Sequence, residues 1–154
     1  MSQEQVLVVD DEEVMRDVLG RVLGQAGYDV SFAETGLQGV ELARRGSYAA
    51  AIVDVMLPEM GGLEVLEEIK KHDPEMVVLM ITAFASMEMA IDAIKKGAFY
   101  FVPKPFDNQQ LLHVLASGLR QRRLEGENRE LRTALRDQGR FMELVGKSPR
   151  MQQV

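Results

Sequence analysis

Polar residues that could perform chemistry stand at the ends of four apolar runs of the sequence. They are two neighbouring carboxylates, a single carboxylate, a hydroxyl and an ammonium, namely Asp10, Asp11, Asp54, Thr82 and Lys104. Each has an ordinary structural explanation when it is taken alone. An Asp or a Thr can cap a turn or a helix N-terminus, where acidic residues also complement the helix dipole, and a Lys is usually a solvated charge.

The set as a whole indicates a more specific chemistry. Carboxylates that converge repel one another, so either their pKa values rise or a divalent cation joins them. Ligation by oxygen atoms without His or Cys favours Mg²⁺. A nearby ammonium and hydroxyl would contact a phosphoryl group, and an Asp carboxylate in such a site can accept that group covalently. The five residues therefore predict a magnesium-dependent phosphoryl site, provided that the fold brings them together.

Five apolar runs predict the strands that would position these residues, at residues 5–9, 28–32, 49–53, 76–81 and 98–102. Apolar residues at helical spacing follow every run. After the first run they are Val14, Val18, Val22 and Leu23, and after the fourth they are Met87, Ala90, Ile91 and Ile94. Five strand–helix units of this length predict an α/β domain with a doubly wound parallel sheet.

The predicted helix ends carry the expected residues. Gly27 and Gly97 stand where C-cap glycines would end the first and fourth helices, and Asp107 could N-cap the last helix. In an open parallel sheet the carboxyl ends of the strands form the edge at which ligands bind. The candidate residues all stand at predicted strand ends, so we expect them at this edge.

Composition limits the remaining function classes. The 154 residues contain no cysteine, which excludes disulfides, zinc–thiolate sites and thiol nucleophiles and suits a reducing cytoplasm. No membrane span or signal peptide is predicted. Residues 1–119 hold 9 Lys and Arg against 19 Asp and Glu, whereas residues 120–154 hold 9 against 5. An acidic domain and an Arg-rich tail are thus expected, neither with the basic, aromatic face of a nucleic-acid binder.

Four spaced motifs together resemble the receiver domain of two-component response regulators, over residues 4 to about 120. They are Leu7-Val8-Val9-Asp10-Asp11-Glu12, the stretch from Asp54 to Gly62, Ile81-Thr82-Ala83 and Pro103-Lys104-Pro105-Phe106. The resemblance implies a flavodoxin-like sheet with strand order 2-1-3-4-5. It also implies a regulatory domain that catalyses only its own phosphorylation and dephosphorylation.

The resemblance assigns a role to each acidic residue. Asp54 would accept a phosphoryl group from a sensor histidine kinase. Asp11 would bind Mg²⁺ directly and Asp10 through water, while Asp54 and the backbone carbonyl of Met56 would complete the protein ligands.

It assigns roles to the remaining candidates as well. Lys104 would contact the phosphoryl oxygens, and the Lys104–Pro105 bond is expected to be cis, an isomer open to X-Pro bonds. Thr82 and Phe101 would form a switch pair, in which the hydroxyl moves to the phosphoryl group and the ring turns inward. Phe101 stands where the family often has Tyr, and Pro103 departs from the commonest pattern but recurs in one branch of the family.

The Arg-rich tail contains a short heptad pattern. Its members are Leu124, Asn128, Leu131 and Leu135. Such a seam, with Asn at an a-like position, favours a two-stranded coiled coil and hence a homodimer through this linker and the last receiver helix. A solvated, Arg-rich helix is the alternative, and Gly126 weakens either helix by about 1 kcal/mol. A seam continuous with Leu112, Leu115 and Leu119 would need a stutter near residues 120–123.

The end of the sequence, from Phe141 to Val154, resembles the opening of the AAA+ ATPase domain of sigma-54-dependent activators. It contains no G-x-x-x-x-G-K-[ST] loop, so no ATP hydrolysis by that route is expected. The predicted organisation is a receiver at 1–121, a helical linker at 122–138 and the start of an ATPase domain at 139–154. The implied partners are ATPase and DNA-binding domains and sigma-54 RNA polymerase.

Two other functions compete with a phosphorylation-controlled regulator. A phosphatase with an Asp nucleophile typically needs an acid/base Asp two residues further on, where this chain has Met56. An interaction module with a vestigial pocket would not need the complete set of polar residues. Control of the output also has two versions: an unphosphorylated dimer that holds ATPase domains apart, or a receiver that is passive until it is phosphorylated.

Overall fold

The structure is a computed structural model that describes residues 4–84 and 86–144, with side-chain surroundings for residues 4–84 and 86–126. Five strands alternate with five helices in this part of the chain. The strands are β1 (Gln5–Val9), β2 (Asp29–Ala33), β3 (Ala50–Asp54), β4 (Val77–Thr82) and β5 (Tyr100–Pro103). The helices are α1 (Glu13–Gln25), α2 (Gly36–Arg45), α3 (Gly62–His72), α4 (Met87–Lys95) and α5 (Asn108–Leu144).

The strands form one parallel sheet in the order β2-β1-β3-β4-β5, which confirms the prediction. Val9 at the end of β1 pairs with Val53, and Asp54 at the end of β3 pairs with Ile81 of β4. Thr82 in turn pairs with Pro103 of β5. This register places the residues that follow β1, β3, β4 and β5 side by side at the carboxyl edge of the sheet.

Apolar residues on the two faces of the sheet form two core layers. Alternate side chains of a strand point to opposite faces. Accordingly, Val6 and Val8 pack in the layer that contains Leu19 of α1 and Leu111 of α5. The residues between them on β1 pack in the other layer, with buried side chains of α2, α3 and α4. Helices on both faces therefore bury every central strand, as a doubly wound sheet requires.

The helices are confirmed, and their apolar patterns identified the buried faces in part, since Leu23 was predicted and is buried whereas Leu19 was not predicted. Val14 is 74% exposed, and α1 is buried through Leu19 and Leu23. Met87 on α4 is 78% exposed, and Ala93 is the buried residue of this helix. A small residue brings the helix backbone close to the sheet, and the larger apolar residues of α4 then lie on its outer side.

The predicted end signals are found at the expected places. Gly27 and Gly97 follow their helices with φ angles of +98° and +110°, a left-handed conformation that glycine adopts without a Cβ clash. The Asp107 carboxylate accepts a hydrogen bond from the Gln109 amide at 2.8 Å, which satisfies one free donor at the start of α5. The Lys104–Pro105 bond is cis, as expected.

The chain divides into two units, Met1–Leu119 and Arg120–Val154. In the second unit Leu124 is 56% exposed. The other seam residues, Asn128, Leu131 and Leu135, lie outside the residues with described side chains, as does the predicted ATPase segment at 139–154. The seam and the boundaries after residues 121 and 138 therefore stay predictions. No helix in the described part of the chain combines the length and apolar character needed to cross a lipid bilayer.

Candidate functional site

A lysine ammonium and three carboxylates meet at the carboxyl edge of the sheet. Lys104 Nζ lies 3.1 Å from Asp54 Oδ2, 3.4 Å from Asp10 Oδ2 and 3.3 Å from Glu12 Oε1. Lys104, Asp10 and Asp54 are almost fully buried, whereas Glu12 is exposed. The strand ends thus bring together residues that are up to 94 positions apart in the sequence.

The backbone aims these side chains. The Lys104 amide donates to the carbonyl of Thr82 at 2.8 Å, which ties the residue after β5 to the end of β4. Asp54 Oδ1 accepts from the Met56 amide at 3.0 Å, and Asp10 Oδ1 accepts from the Glu12 amide at 2.9 Å. In both carboxylates one oxygen is held by the following loop, and the other is directed at the ammonium.

The turn after β3 depends on Gly62, the first residue of α3. Its amide donates to the carbonyl of Val55 at 2.9 Å, and a Cβ at this position would overlap the backbone of Asp54 and Val55. The glycine therefore allows α3 to begin directly against the strand end that carries Asp54.

Burial and charge change the ionisation of the cluster. Burial raises the pKa of Asp10, and the charge of Asp54 adds to the rise, so the pKa stays above its ordinary value although the Glu12 amide and Lys104 lower it. Burial also lowers the pKa of Lys104, but the hydrogen bond to Asp54 and the charges of Asp10 and Asp54 outweigh it, and the net shift is upward. Lys104 is hence charged at neutral pH, and the site retains an excess of negative charge.

An open cavity of about 180 Å³ lies above this cluster. Its lining consists of Asp11, Glu12, Asp54, Met56, Ala83, Phe84 and Lys104. Asp11 is exposed and faces this cavity, whereas Asp10 lies buried beneath it. The side chains of Met56 and Phe84 are exposed at its rim. A small anionic group could therefore enter and contact Asp54 and Lys104 together.

The carboxylate oxygens have the chemistry of a hard cation site. Single oxygens of Asp10, Glu12 and Asp54 lie within 4.8 Å of one another. Oxygen-only ligation suits Mg²⁺ or Ca²⁺, and Mg²⁺ in particular retains water ligands beside one or two carboxylates. The sequence did not identify Glu12 as a site residue, because its exposed side chain reaches the cluster from a loop whose path the sequence does not specify.

The two predicted switch residues lie on neighbouring strands. Thr82 is fully buried, and its Oγ1 accepts a hydrogen bond from the Phe84 amide at 3.1 Å. Phe101 is partly buried and packs against the core layer under α2, α3 and α4. The structure thus gives their positions in one state, and the coupled movement stays a prediction.

Known proteins with similar sequences are response regulators. A family model described as the response regulator receiver domain matches residues 6–116. A putative response regulator NtrX-like protein of Rickettsia bellii is 36% identical over 96% of this chain and 31% of its own length. The chain therefore spans about a third of the length of such curated relatives.

Solved structures resemble the same region. A CheY-like response regulator receiver domain protein of Methanospirillum hungatei has a TM-score of 0.78 and 31% identity, covering 80% of this chain and 99% of that one. NtrX of Brucella abortus has a TM-score of 0.80 and 32% identity, covering 85% of this chain and 30% of that one. The structural similarity therefore covers the sheet and most of the other described residues.

Proposed function

This chain belongs to the response regulator receiver domain family, and we propose that it is a phosphoacceptor that takes a phosphoryl group on Asp54 from a sensor histidine kinase. One observation carries this proposal. The Asp54 carboxylate lies in an open cavity, 3.1 Å from the Lys104 ammonium and beside the carboxylates of Asp10 and Glu12.

The proposed reaction is a transfer from a phosphohistidine to a carboxylate. Asp54 Oδ2 attacks the phosphorus atom, the N–P bond breaks, and the imidazole keeps the electron pair. The product is an aspartyl phosphate, with Lys104 beside it to offset the phosphoryl charge. The Met56 amide holds the other oxygen of Asp54, so the attacking oxygen keeps its direction.

The same residues fit a divalent cation, which we propose to be Mg²⁺. Asp11, Asp54 and the backbone carbonyl of Met56 would bind it directly and Asp10 through water, and Glu12 is a further carboxylate within reach. When bound, Mg²⁺ would stabilise the negative charge of the phosphoryl oxygens during transfer. The excess negative charge of the cluster supports a cation at this position.

The signal would leave the site through Thr82 and Phe101. In the proposed switch the Thr82 hydroxyl exchanges the Phe84 amide for a phosphoryl oxygen, and the Phe101 ring moves into the space that becomes free. The burial of Thr82 at the end of β4 and the partial burial of Phe101 on β5 support this arrangement.

The proposed output is control of a sigma-54-dependent ATPase and of transcription. It rests on the resemblance of residues 141–154 to the opening of such an ATPase domain and on the length of the curated relatives. The unphosphorylated chain would form a homodimer through α5 and the seam of Leu124, Asn128, Leu131 and Leu135. This dimer would hold the ATPase domains apart until phosphorylation of Asp54 re-pairs the receivers.

The phosphoacceptor proposal is tested by phosphorylation with a small-molecule phosphodonor. The wild-type chain is incubated with a phosphoramidate, with Mg²⁺ or with EDTA, and its intact mass is measured. We expect the addition of one acid-labile phosphoryl group in Mg²⁺ alone. Asp54→Ala should gain none, and Asp17→Asn, which changes an exposed carboxylate of α1, should behave as wild type. Equal labelling of Asp54→Ala, or an unlabelled wild type, would contradict the proposal.

A further inference from the structure

Arg16 on the first turn of α1 contacts the acidic loop without forming part of the cavity. Its Nη1 donates a hydrogen bond to the backbone carbonyl of Asp10 at 2.8 Å. Its backbone amide donates to the carbonyl of Glu12 at 3.1 Å. We propose that Arg16 is a positioning residue for the cation site, which acts by fixing the peptide unit between Asp10 and Asp11; this inference rests on the proposed function.

The geometry of the peptide bond connects Arg16 to Asp11. The carbonyl of Asp10 and the amide of Asp11 belong to one planar unit. A hydrogen bond that fixes the carbonyl therefore also fixes the direction in which the backbone continues to Asp11. Because the Asp11 side chain is exposed at the cavity, its backbone is what determines where its carboxylate can reach.

A side-chain hydrogen bond also spans this peptide unit, because Asp10 Oδ1 accepts from the Glu12 amide at 2.9 Å, whereas the Asp10 carbonyl accepts from Arg16. On the side of β1, the Asp10 amide donates to the carbonyl of Ala33 at 3.1 Å. On the side of α1, the N-cap residue Glu12 makes no side-chain capping bond. The side chain of Arg16 therefore holds the carbonyl side of Asp10, between the end of the strand and an uncapped helix.

The contact is positional and does not neutralise the cluster. Within residues 4–84 and 86–126, no carboxylate lies in ion-pair distance of Arg16, and Lys104 is the cation that contacts Asp10 and Asp54. Loss of the hydrogen bond from Arg16 to the Asp10 carbonyl should allow the Asp10–Asp11 peptide unit to rotate and should weaken cation binding.

Titration of the full 154-residue chain with Mg²⁺ alone tests this role. Mg²⁺ affinity is measured calorimetrically for wild type, Arg16→Met, Arg16→Lys and Arg21→Met, the last being an exposed arginine of the same helix. We expect about a tenfold loss of affinity in Arg16→Met, the scale known for residues that orient metal ligands. Arg16→Lys should recover part of it with its single ammonium, and Arg21→Met should bind as wild type.

Two further readouts separate positioning from general support of the fold. The free energy of unfolding in EDTA is measured for each variant by urea denaturation. A positioning role predicts that the phosphorylation rate of Arg16→Met returns to the wild-type value at saturating Mg²⁺, because the reacting groups are intact. A rate that stays low at saturating Mg²⁺ would overturn the inference, as would wild-type affinity in Arg16→Met.

The outcomes also distinguish this inference from the proposed function. If wild type binds Mg²⁺ and Arg16→Met binds it equally well, the role of Arg16 is wrong and the phosphoacceptor proposal stands. If wild type has no measurable affinity for Mg²⁺, both are wrong. Should Arg16→Met fail to fold, Arg16→Lys is compared with Arg21→Lys. We then expect Arg16→Lys to bind Mg²⁺ more weakly than wild type, by less than tenfold, and Arg21→Lys to bind it as wild type does. Equal affinities in that pair would overturn the inference.

Discussion

Lys104 is the cation on which the buried carboxylates depend when no divalent cation is bound. Replacing it by Met leaves Asp10 and Asp54 buried without a positive partner, which we expect to cost about 2 kcal/mol of unfolding free energy at pH 7 in EDTA. Folding raises the pKa of Lys104 above the value of 10.5 in the unfolded chain. The stabilisation that the Lys104 ammonium gives the folded protein is therefore fully present below pH 10.5 and is lost only as the pH rises through the higher pKa of the folded state.

Urea denaturation of Lys104→Met and Lys95→Met checks this prediction. Lys95 is an exposed lysine of α4 and serves as the control, for which a change within about 0.5 kcal/mol is expected. Addition of Mg²⁺ should narrow the gap between Lys104→Met and wild type, since a cation then replaces the ammonium. Unchanged stability of Lys104→Met in EDTA would show that the ammonium does not compensate the carboxylates.

Asp10 should make stability depend on pH in the acid range. Burial raises its pKa above 3.8, so the folded protein binds this proton more tightly than the unfolded chain. Asp10→Asn removes the cost of burying the charge and should therefore be more stable than wild type above the folded pKa in EDTA. This advantage should shrink as the pH falls through the folded pKa toward 3.8.

The difference between Asp10→Asn and wild type, measured by urea denaturation at several pH values, tests the sign. Asp17→Asn on the exposed side of α1 is the control and should show no such trend. A difference that grows toward acid pH would mean that the pKa of Asp10 is lowered by folding.

For single residues, the residue type and its position at a strand end were sufficient to predict that Asp10, Asp54, Thr82 and Lys104 lie together at the carboxyl edge of the sheet. Glu12 was not predicted as a contact of Lys104, because its exposed side chain reaches the ammonium from a loop whose path the sequence does not specify. The contact of Arg16 with a backbone carbonyl has no sequence signal either.

Among the elements, the junction of β3 and α3 is the least tolerant of change. Gly62→Ala would place a methyl group on the backbone of Asp54 and Val55 and should cost about 3 kcal/mol of unfolding free energy. Gly24→Ala is the matched control, because nothing lies within 4 Å of its added Cβ and α1 should gain about 0.5 kcal/mol. Thermal or urea unfolding of both variants measures the effect.

The methyl group of Gly62→Ala would displace the backbone of Asp54, the proposed phosphoacceptor. This variant should therefore also slow the phosphorylation of Asp54, whereas Gly24→Ala should leave its rate unchanged. A stable, fully active Gly62→Ala variant would contradict the close approach of β3 and α3.

The elements themselves were predictable because continuous apolar runs and C-cap glycines are local signals. The buried face of α4 was not, and that of α1 was predicted through Leu23 alone, since Val14 and Met87 satisfy helical spacing yet are exposed. The side of a helix that packs on the sheet depends on how closely the helix backbone approaches the sheet. In α4 the small side chain of Ala93 is the buried one and allows a close approach. That information resides in the packing and not in the period of the pattern.

For the whole molecule, the proposed repressive dimer makes a prediction about association. The unphosphorylated chain should sediment as a dimer at tens of micromolar. Leu131→Glu, which places a charge on the predicted seam, should raise the dissociation constant about tenfold or more. Thr133→Glu, at the outward position of the same heptad, should not. A monomeric wild-type chain would end the repressive-dimer hypothesis and favour a receiver that is passive until phosphorylated.

The sequence predicted more about the receiver than about the tail. The sheet order follows from a resemblance carried by four motifs, whereas the seam spans fewer than two heptads and Leu124 alone of its members has described surroundings. The change from an acidic to a basic composition near residue 120 agrees with the division of the chain after Leu119. How the second unit pairs depends on a partner chain, which composition does not specify.

The most direct test of the central proposal is chemical identification of the acceptor. The chain is phosphorylated with a phosphoramidate and Mg²⁺, reduced with borohydride, which converts an aspartyl phosphate to homoserine, and digested for peptide mass spectrometry. We predict homoserine at position 54 and at no other aspartate, and none when EDTA replaces Mg²⁺. Homoserine at Asp10 or Asp11, or its complete absence in the presence of Mg²⁺, would contradict the assignment of Asp54 as the phosphoacceptor.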